Sequence, residues 1–306
     1  MTLIHETNER DYFKLAALSK SQIGNWNPYD PMAFWLRSAF NPAAPVDDFT
    51  DSIVCGKLYH MMVLERKLIK SEFAINDELG VSRKNKKWKQ AQDESAKLFI
   101  TSEELDRAKK MAIALSRQDD VRRLFSGGVA EKPFMWQDEG WKIPCKMKLD
   151  YLRNTPEGLE CIDYKTTAKE IPHFIDKGGF QHDVGMYARG IKAKYGQPLK
   201  KFHFVFQSTN EGEENLIRIK TVEGAWLEGC EIATEQTVKQ ILPRLRAWQE
   251  ANNIVIAETD PKKAKKAQKA KEDAMLKCWL PTIEAEPWEL SPYIDKQIAD
   301  DIHKGE

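Results

Sequence analysis

The sequence lacks several features that would assign a chain of 306 residues to a class at once. It has no net charge, because 47 Lys and Arg residues balance 47 Asp and Glu residues, so a globally basic nucleic-acid binder is excluded. No apolar run approaches ~18 residues, and the N-terminal segment carries charges throughout, so the sequence predicts neither a membrane span nor a signal peptide. We therefore expect a soluble, cytoplasmic protein that has no membrane partner and that holds any nucleic acid locally.

Cysteine is scarce and scattered. The five cysteines lie at positions 55, 145, 161, 230 and 278, with no CxxC spacing between them. An odd number without such spacing is typical of neither a disulfide framework nor a zinc ribbon. The pattern indicates a protein of a reducing compartment.

Hydrophobic periodicity divides the chain into helical and extended regions. The spacing predicts helices over residues 47–65, 102–125, 170–196 and 225–252, and strands within residues 132–167, 200–208 and 216–223. The cationic low-complexity segment 261–273 is expected to be a solvated helix or a linker. This order predicts an α/β fold with one large domain over residues 1–258, followed by a basic linker and C-terminal tail over residues 259–306.

Asp163 and Lys165 stand two residues apart in an otherwise apolar extended segment. Because side chains alternate along a strand, both project from one face together with Cys161, whereas Ile162 and Tyr164 project from the other face. The neighbouring apolar side chains indicate that protein covers this face. An exposed ion pair on the solvent side of a hairpin is the alternative.

A turn at residues 154–158 predicts that the segment forms a β-hairpin. If Leu152 pairs with Leu159, Asp150 lies diagonal to Asp163 on the same face, at ~7–8 Å. Two carboxylates at that separation can share a divalent cation, since Mg²⁺ is typically bound by one or two carboxylates together with water and substrate phosphate. The hairpin is therefore a candidate metal site.

These residues resemble the PD-(D/E)xK nuclease motif, in which Asp150 is followed after twelve residues by the triplet Asp163-Tyr164-Lys165. The longer context, from about Leu18 to Glu250, resembles the C-terminal nuclease domain of exodeoxyribonuclease VIII and related phage recombination exonucleases. Further segments match in order, namely Leu18–Ser21, Gly56–His60, Lys87-Trp88, Thr101–Glu104, Glu131 with Trp136, and Asp163–Thr167. The resemblance implies a restriction-endonuclease-like core, in which a central mixed sheet with an antiparallel hairpin carries the active site between flanking helices.

The resemblance also implies roles for single residues. The ligands that it implies for Mg²⁺, with Mn²⁺ as a substitute, are His60, Asp150, Asp163 and the carbonyl of Tyr164. Its catalytic lysine is Lys165, which would position the attacking water and stabilise charge that grows on the phosphate oxygens.

Two of the implied site residues are ambiguous without the resemblance. On the predicted helix 47–65, His60 falls on an inward stripe with Ile53, Gly56 and Val63, and a lone inward histidine is more often a core residue than a ligand. Glu131, at the start of the strand before the hairpin, is by itself a surface charge. The resemblance makes His60 a metal ligand and Glu131 an acidic member of the site.

The sequence departs from the related enzymes on the predicted helix 170–196. They place a Gln four residues before the tyrosine that corresponds to Tyr187, and this chain has Asp183 there. Residues four apart share a helix face, so both side chains could reach the phosphate or Lys165. The roles of Asp183 and Gln181 stay open, and a tyrosine packed in the core is the alternative for Tyr187.

A basic segment could supply the local contacts to DNA phosphates that a chain without net charge needs. Its members are Arg83, Lys84, Lys86 and Lys87, with Trp88 as a base-stacking side chain, although a solvated loop is an equal alternative. The resemblance implies a 5′-to-3′ exonuclease that acts on the ends of linear double-stranded DNA in phage-type homologous recombination. It also implies a homo-oligomeric ring with a single-strand annealing protein as partner.

Two other functions remain open. One is a nuclease of the same fold with another substrate, such as a structure-specific endonuclease or a CRISPR adaptation nuclease, and the lack of a cysteine cluster disfavours its iron–sulfur members. The other is a catalytically degenerate DNA-binding or assembly protein. The complete set of Asp150, Asp163 and Lys165 argues against degeneration.

Overall fold

The computed structural model describes residues 4–6, 12, 15–44, 50–80, 83–130, 133–171, 179–252 and 261–280. They belong to two compact units. The first holds the described residues within Met1–Asn25 and Arg37–Lys239, and the second holds those within Trp26–Leu36 and Gln240–Glu306. The domain boundary predicted between residues 258 and 259 stays a prediction.

The elements follow the predicted alternation of helical and extended segments. In chain order the helices are α1 (Lys20–Gly24), α2 (Pro31–Leu36), α3 (Asp51–Leu64), α4 (Ile69–Glu72), α5 (Lys86–Asp93), α6 (Ser102–Arg117), α7 (Asp119–Leu124), α8 (Gln181–Tyr195), α9 (Ala225–Asn252) and α10 (Pro261–Lys277). The strands are β1 (Ile4–Glu6), β2 (Phe73–Ile75), β3 (Leu98–Ile100), β4 (Gly128–Ala130), β5 (Phe134–Gln137), β6 (Pro144–Met147), β7 (Tyr151–Thr155), β8 (Gly158–Thr167), β9 (Leu199–Ser208) and β10 (Ile217–Glu223). Within the described ranges, no helix has both the length and the apolar character needed to cross a membrane.

A five-stranded mixed sheet forms the centre of the first unit, in the order β10-β9-β8-β7-β4. The pair β8–β9 is parallel, and the other pairs are antiparallel. A three-stranded antiparallel sheet (β1-β5-β6) and a parallel pair (β2-β3) complete the strands of the described residues. The predicted α/β class, with a central mixed sheet, an antiparallel hairpin and flanking helices, is confirmed.

The hairpin β7–β8 turns one residue later than the predicted register requires. Thr155 pairs with Gly158 across a two-residue turn, and Gly158 has a φ of 129°, a value that side chains with a Cβ rarely adopt. Leu152 consequently faces Cys161, so the predicted pairing of Leu152 with Leu159 is wrong. Because the register moved by two residues, each side chain keeps its predicted face.

One face of β8 belongs to a hydrophobic core. Ile162 and Tyr164 are fully buried there against side chains of α3 and α6, among them Leu58 and Met111. The predicted helix 102–125 is divided into α6 and α7, because Gln118 between them is extended (φ −89°, ψ 118°). The division lets α7 add its own apolar residues to the same core.

The inward stripe predicted on the helix 47–65 is wrong. The described helix α3 begins at Asp51 and buries Val54, Leu58 and Met61, whereas Ile53 on the predicted stripe is 47% exposed. His60 lies at the border of the buried face with 31% of its side chain exposed. It can therefore reach the sheet while remaining open to solvent.

Helix α8 covers the other face of β8, as the sequence predicts for this face. Phe180, which precedes the helix, packs against Phe204 and Phe206 of β9 with ring centroids 5.2 and 5.6 Å apart. Gly190 permits close approach, because a Cβ there would collide with the side chain of Met147. The predicted start of this helix, before residue 179, lies partly outside the described residues, and the described helix begins at Gln181.

The second unit has an aromatic core of its own. Trp279 stacks on Trp35 with ring centroids 5.0 Å apart, and Trp35 contacts Trp248 at 4.8 Å. Arg244 of α9 donates a 2.8 Å hydrogen bond to the carbonyl of Cys278. The cationic segment forms α10, which agrees with the solvated helix that the sequence predicts as one of two forms.

Candidate active site

Asp150 stands immediately before β7, where the hairpin and α3 meet. Its Oδ2 accepts a 2.8 Å hydrogen bond from the backbone N–H of Tyr164, and Nδ1 of His60 lies 3.4 Å from the same oxygen. Burial alone would raise the pKa of Asp150, but His60, together with Lys20 and Lys165, outweighs burial and holds this pKa well below its ordinary value. Asp150 is therefore an ionised carboxylate with a histidine as neighbour.

Asp163 lies on β8 beneath two lysines and is almost fully buried. Its Oδ2 is 2.6 Å from Nζ of Lys165, and its Oδ1 is 3.2 Å from Nζ of Lys20, the first residue of α1. Oδ2 of Asp183, on the first turn of α8, is 2.9 Å from Lys165 and 3.0 Å from Lys20. These four side chains form a closed ring of alternating charge, which we call the Lys–Asp ring.

Three members of the Lys–Asp ring, Lys20, Lys165 and Asp183, are stabilised in the charged form by their neighbours. Burial would lower the pKa of Lys20 and of Lys165, but Asp163 foremost and Asp183 raise both pKa values above the ordinary range for lysine. Burial would likewise raise the pKa of Asp183, and Lys165 and Lys20 lower it instead. Lys20, Lys165 and Asp183 are therefore charged members of the site.

Tyr187 packs beside the ring, one turn after Asp183. Its hydroxyl donates a 2.8 Å hydrogen bond to the carbonyl of Lys148, two residues before Asp150, and its ring lies under Nζ of Lys20 at 4.5 Å. Only 1% of the residue is exposed. The hydrogen bond supports the segment that leads into Asp150, and the ring gives Lys20 an aromatic face to pack on.

The structure brings most of the predicted site residues together. His60, Asp150, Asp163, Lys165 and Tyr187 converge at the hairpin, as the distances above show. The side chain of Tyr164 points into the core, where its hydroxyl donates to Gln207, and its backbone contacts the site through Asp150. Glu131 lies outside the described residues.

The predicted DNA-binding segment is only partly on the surface. Arg83 is 4% exposed and pairs with Asp51 (3.1 Å) and Glu104 (2.9 Å), and Trp88 is 3% exposed. The prediction of a solvent-facing DNA contact is therefore wrong for these two side chains, because both are used in packing. The part of the segment from Lys86 onward belongs to helix α5 rather than to the predicted loop.

The lysines of the same segment do face solvent. Lys84 precedes α5, and Lys86 and Lys87 lie in its first turn, all with exposed side chains. They remain candidates for phosphate contacts.

The sequence does not predict Lys20 as a site residue, and it leaves the role of Asp183 open. A signal for Lys20 existed, since it stands in the Leu18–Ser21 segment that matches the related enzymes. For Asp183 the signal was that the related enzymes have Gln at the corresponding position. Neither signal revealed that the two residues form one ion pair.

The donor set suits a divalent cation of the magnesium type. Among the described residues, no three or more His, Cys, Asp or Glu side chains are grouped closely enough to hold a metal ion alone. Two carboxylates suffice for Mg²⁺ when water and phosphate complete the shell. Oδ2 of Asp163 is shielded from solvent, and its described contact is the ion pair with Lys165 rather than a well-formed hydrogen bond. That oxygen can become a ligand when a cation replaces Lys165 as its partner.

Comparison with known proteins agrees with the fold. The PDDEXK-like domain of unknown function (DUF3799) matches residues 43–243 of this chain. Among solved structures, a "putative exonuclease" from Eubacterium rectale has a TM-score of 0.54 and 12% sequence identity, with 83% of this chain and 96% of that chain covered. At 12% identity this likeness shows the fold alone. Comparison with curated proteins finds no significant match.

Proposed function

Because this chain belongs to the PDDEXK-like domain family DUF3799, we propose that it is a metal-dependent DNA exonuclease. The observation that carries the proposal is the convergence of Asp150, Asp163 and Lys165 on one hairpin. Lys165 lies 2.6 Å from Asp163, and the backbone of the next strand residue, Tyr164, binds Asp150. A phosphodiester hydrolase needs carboxylates to hold a cation and a positive group to stabilise the developing charge.

The metal-binding residues in this proposal are Asp150, Asp163, His60 and the carbonyl of Tyr164. When bound, Mg²⁺ or Mn²⁺ would polarise the scissile phosphate and make an attacking water more acidic. Tyr187 holds the segment that leads into Asp150 through its hydrogen bond to the carbonyl of Lys148. Helix α8 and the aromatic side chains beside it keep bulk water from Asp163. Lys165 stabilises charge that grows on the phosphate oxygens.

The preferred substrate in this proposal is the end of linear double-stranded DNA, with 5′-to-3′ digestion. The resemblance to phage recombination exonucleases supports this choice, together with a ring-shaped homo-oligomer, a single-strand annealing protein as partner and a role in recombination. The exposed lysines Lys84, Lys86 and Lys87 support the proposal, because they can contact DNA phosphates.

Digestion of matched DNA substrates tests the proposal. A linear duplex labelled at either 5′ or 3′ end should be degraded progressively in Mg²⁺ and left intact in EDTA, and a covalently closed circle should be spared. The Asp163→Asn variant, purified in parallel, controls for contaminating nucleases. Equal attack on circle and linear duplex would favour a structure-specific endonuclease, and no hydrolysis of either would favour a degenerate DNA-binding protein.

A further inference from the structure

The Lys–Asp ring joins parts of the chain that are far apart in sequence. Lys20 is 143 residues from Asp163 and 163 residues from Asp183. Each lysine contacts both carboxylates, and each carboxylate contacts both lysines. Two ammonium groups repel each other, so Lys20 and Lys165 can stay close together only because the two carboxylates lie between them.

The ring is built on a firmly held backbone. The strand-like segment before Lys20 bridges to β6, since Leu18 N–H donates to the carbonyl of Pro144 (2.9 Å) and Lys146 N–H donates to the carbonyl of Leu18 (2.8 Å). Ser19 N–H donates to the side-chain oxygen of Gln22 (3.0 Å) and fixes the start of α1. These bonds fix the backbone that carries Lys20.

Three members of the ring are partly exposed to solvent, whereas Asp163 is covered. The side chains of Lys20, Lys165 and Asp183 are 24%, 19% and 16% exposed, and that of Asp163 is 2% exposed. A phosphodiester can therefore reach the two ammonium groups more readily than Asp163. It also meets Asp183, whose negative charge would repel phosphate unless cations neutralise it.

We propose that Lys20 is a second phosphate-binding lysine of the nuclease site and that Asp183 holds it beside Lys165 as their shared counter-ion. This inference rests on the proposed nuclease function. Asp183 also offers both ammonium groups a partner when the oxygens of Asp163 bind a cation, so neither lysine is left without a counter-charge. The ligand class is a DNA phosphodiester, and the two ammonium groups act on it as a pair.

The test measures DNA binding without hydrolysis. Dissociation constants of a short labelled duplex are measured by fluorescence anisotropy in EDTA, at several salt concentrations. In Lys20→Gln the dissociation constant should rise about tenfold or more, because a charge-assisted contact is lost and Asp183 is less compensated. The slope of log K against log[salt] should fall by about 0.9, the value for one phosphate contact. Lys20→Arg should stay within about threefold of wild type, since it keeps the charge.

Asp183→Asn supplies a second background in which the proposal stays testable if Lys20→Gln fails to fold. Adding Lys20→Gln to Asp183→Asn should again weaken binding, but by less than in the wild-type background, because the negative charge of Asp183 is no longer left less compensated. Lys109→Gln is the matched control, since Lys109 is also paired with an aspartate, Asp106, at 2.7 Å but outside the ring. It should not change the dissociation constant.

The proposal is overturned if Lys20→Gln binds DNA like Lys109→Gln in both backgrounds. It is also overturned if Lys20→Arg loses as much affinity as Lys20→Gln while the salt slope is unchanged, because that result marks a packing role. Failure of the proposed function gives a different result, namely no Mg²⁺-dependent hydrolysis by the wild type. In hydrolysis assays with Mg²⁺, a raised KM and an unchanged kcat of Lys20→Gln would support the proposal.

Discussion

The backbone N–H of Tyr164 donates a 2.8 Å hydrogen bond to Oδ2 of Asp150 across the hairpin. This bond ties the carboxylate before β7 to the strand that carries Asp163 and Lys165, so the two acids cannot move independently. His60 approaches the same oxygen from α3. The site is thus held by one sheet and by helices on both of its faces, which suits a reaction that needs fixed charges.

Replacing either acid by its isosteric amide should abolish hydrolysis. We expect Asp150→Asn and Asp163→Asn each to lower the rate at least about 10³-fold, because the carboxylates are the proposed metal ligands. Asparagine is preferable to alanine, since Asp163 is 1% exposed and alanine would leave a cavity beside two lysines. Gel assays with Mg²⁺ and circular dichroism would check activity and fold. Normal cleavage by both variants would show that the site is misassigned.

Lys165 should be separable from the metal ligands. Lys165→Gln is expected to lower turnover about 10²–10³-fold, because the lysine stabilises charge in the transition state. Its removal leaves the carboxylates less compensated, so Mn²⁺ binding by calorimetric titration should be kept or strengthened. Asp163→Asn is the comparison, with binding lost or much reduced. Loss of Mn²⁺ binding in a folded Lys165→Gln protein would mean that the lysine orders the site, and its catalytic role would be withdrawn.

The exposed lysines around α5 should contribute to DNA affinity. Changing Lys84, Lys86 and Lys87 together to Gln is expected to raise the dissociation constant and to lower the salt slope by about 2–3, since each phosphate contact contributes about 0.9. Turnover at saturating DNA should be unchanged. Lys109→Gln serves as the surface control. An unchanged salt slope would indicate that these lysines face solvent without contacting DNA.

Trp88 should matter for stability rather than for stacking on a base. Trp88→Ala is expected to lower the free energy of unfolding by about 3–5 kcal/mol, because the residue is 3% exposed. Trp226→Ala is the matched control, because Trp226 is 56% exposed and should change the free energy of unfolding by less than about 0.5 kcal/mol. Urea denaturation measures both values. A stable Trp88→Ala variant with weakened DNA binding would restore the stacking interpretation.

Asp138 should make stability depend on pH. Burial would raise its pKa, but Arg189, at 2.6 and 2.7 Å, and the backbone N–H of Trp141, at 2.9 Å, lower it below the ordinary value. A depressed pKa in the folded state adds stability that is present above the unfolded pKa of about 3.9 and is lost as the pH falls through the folded value.

Comparison with the neutral amide isolates this contribution. Asp138→Asn should lower the free energy of unfolding at pH 7 by about 1–3 kcal/mol, and the difference from wild type should shrink as the pH is lowered from 5 towards 3. Asp106→Asn, at a 64% exposed side chain, is the surface control and should change the free energy of unfolding at pH 7 by less than about 0.5 kcal/mol. A constant difference across this pH range would contradict the assignment. Urea unfolding at each pH provides the data.

The sequence by itself determined the chemistry of the hairpin. Strand alternation is a local property of two-residue period, so it placed Asp163 and Lys165 on one face and Ile162 on the other without knowledge of the register. The motif likewise indicated Asp150, His60 and Tyr187, and the structure brings these residues together. Periodicity also identified the mixed α/β class, because helical and strand patterns differ over short windows.

Only the tertiary structure decided which distant side chains share the site and which residues of the basic segment are buried. The hairpin register depended on whether Thr155 or Pro156 opened the turn, a difference that the sequence pattern does not resolve. Lys20 reaches Asp163 across 143 residues because α1 packs beside α8, and Trp88 is buried because of contacts that no local pattern encodes. Periodicity reports which face of an element is apolar, whereas the partner of that face is fixed by packing between segments remote in the chain.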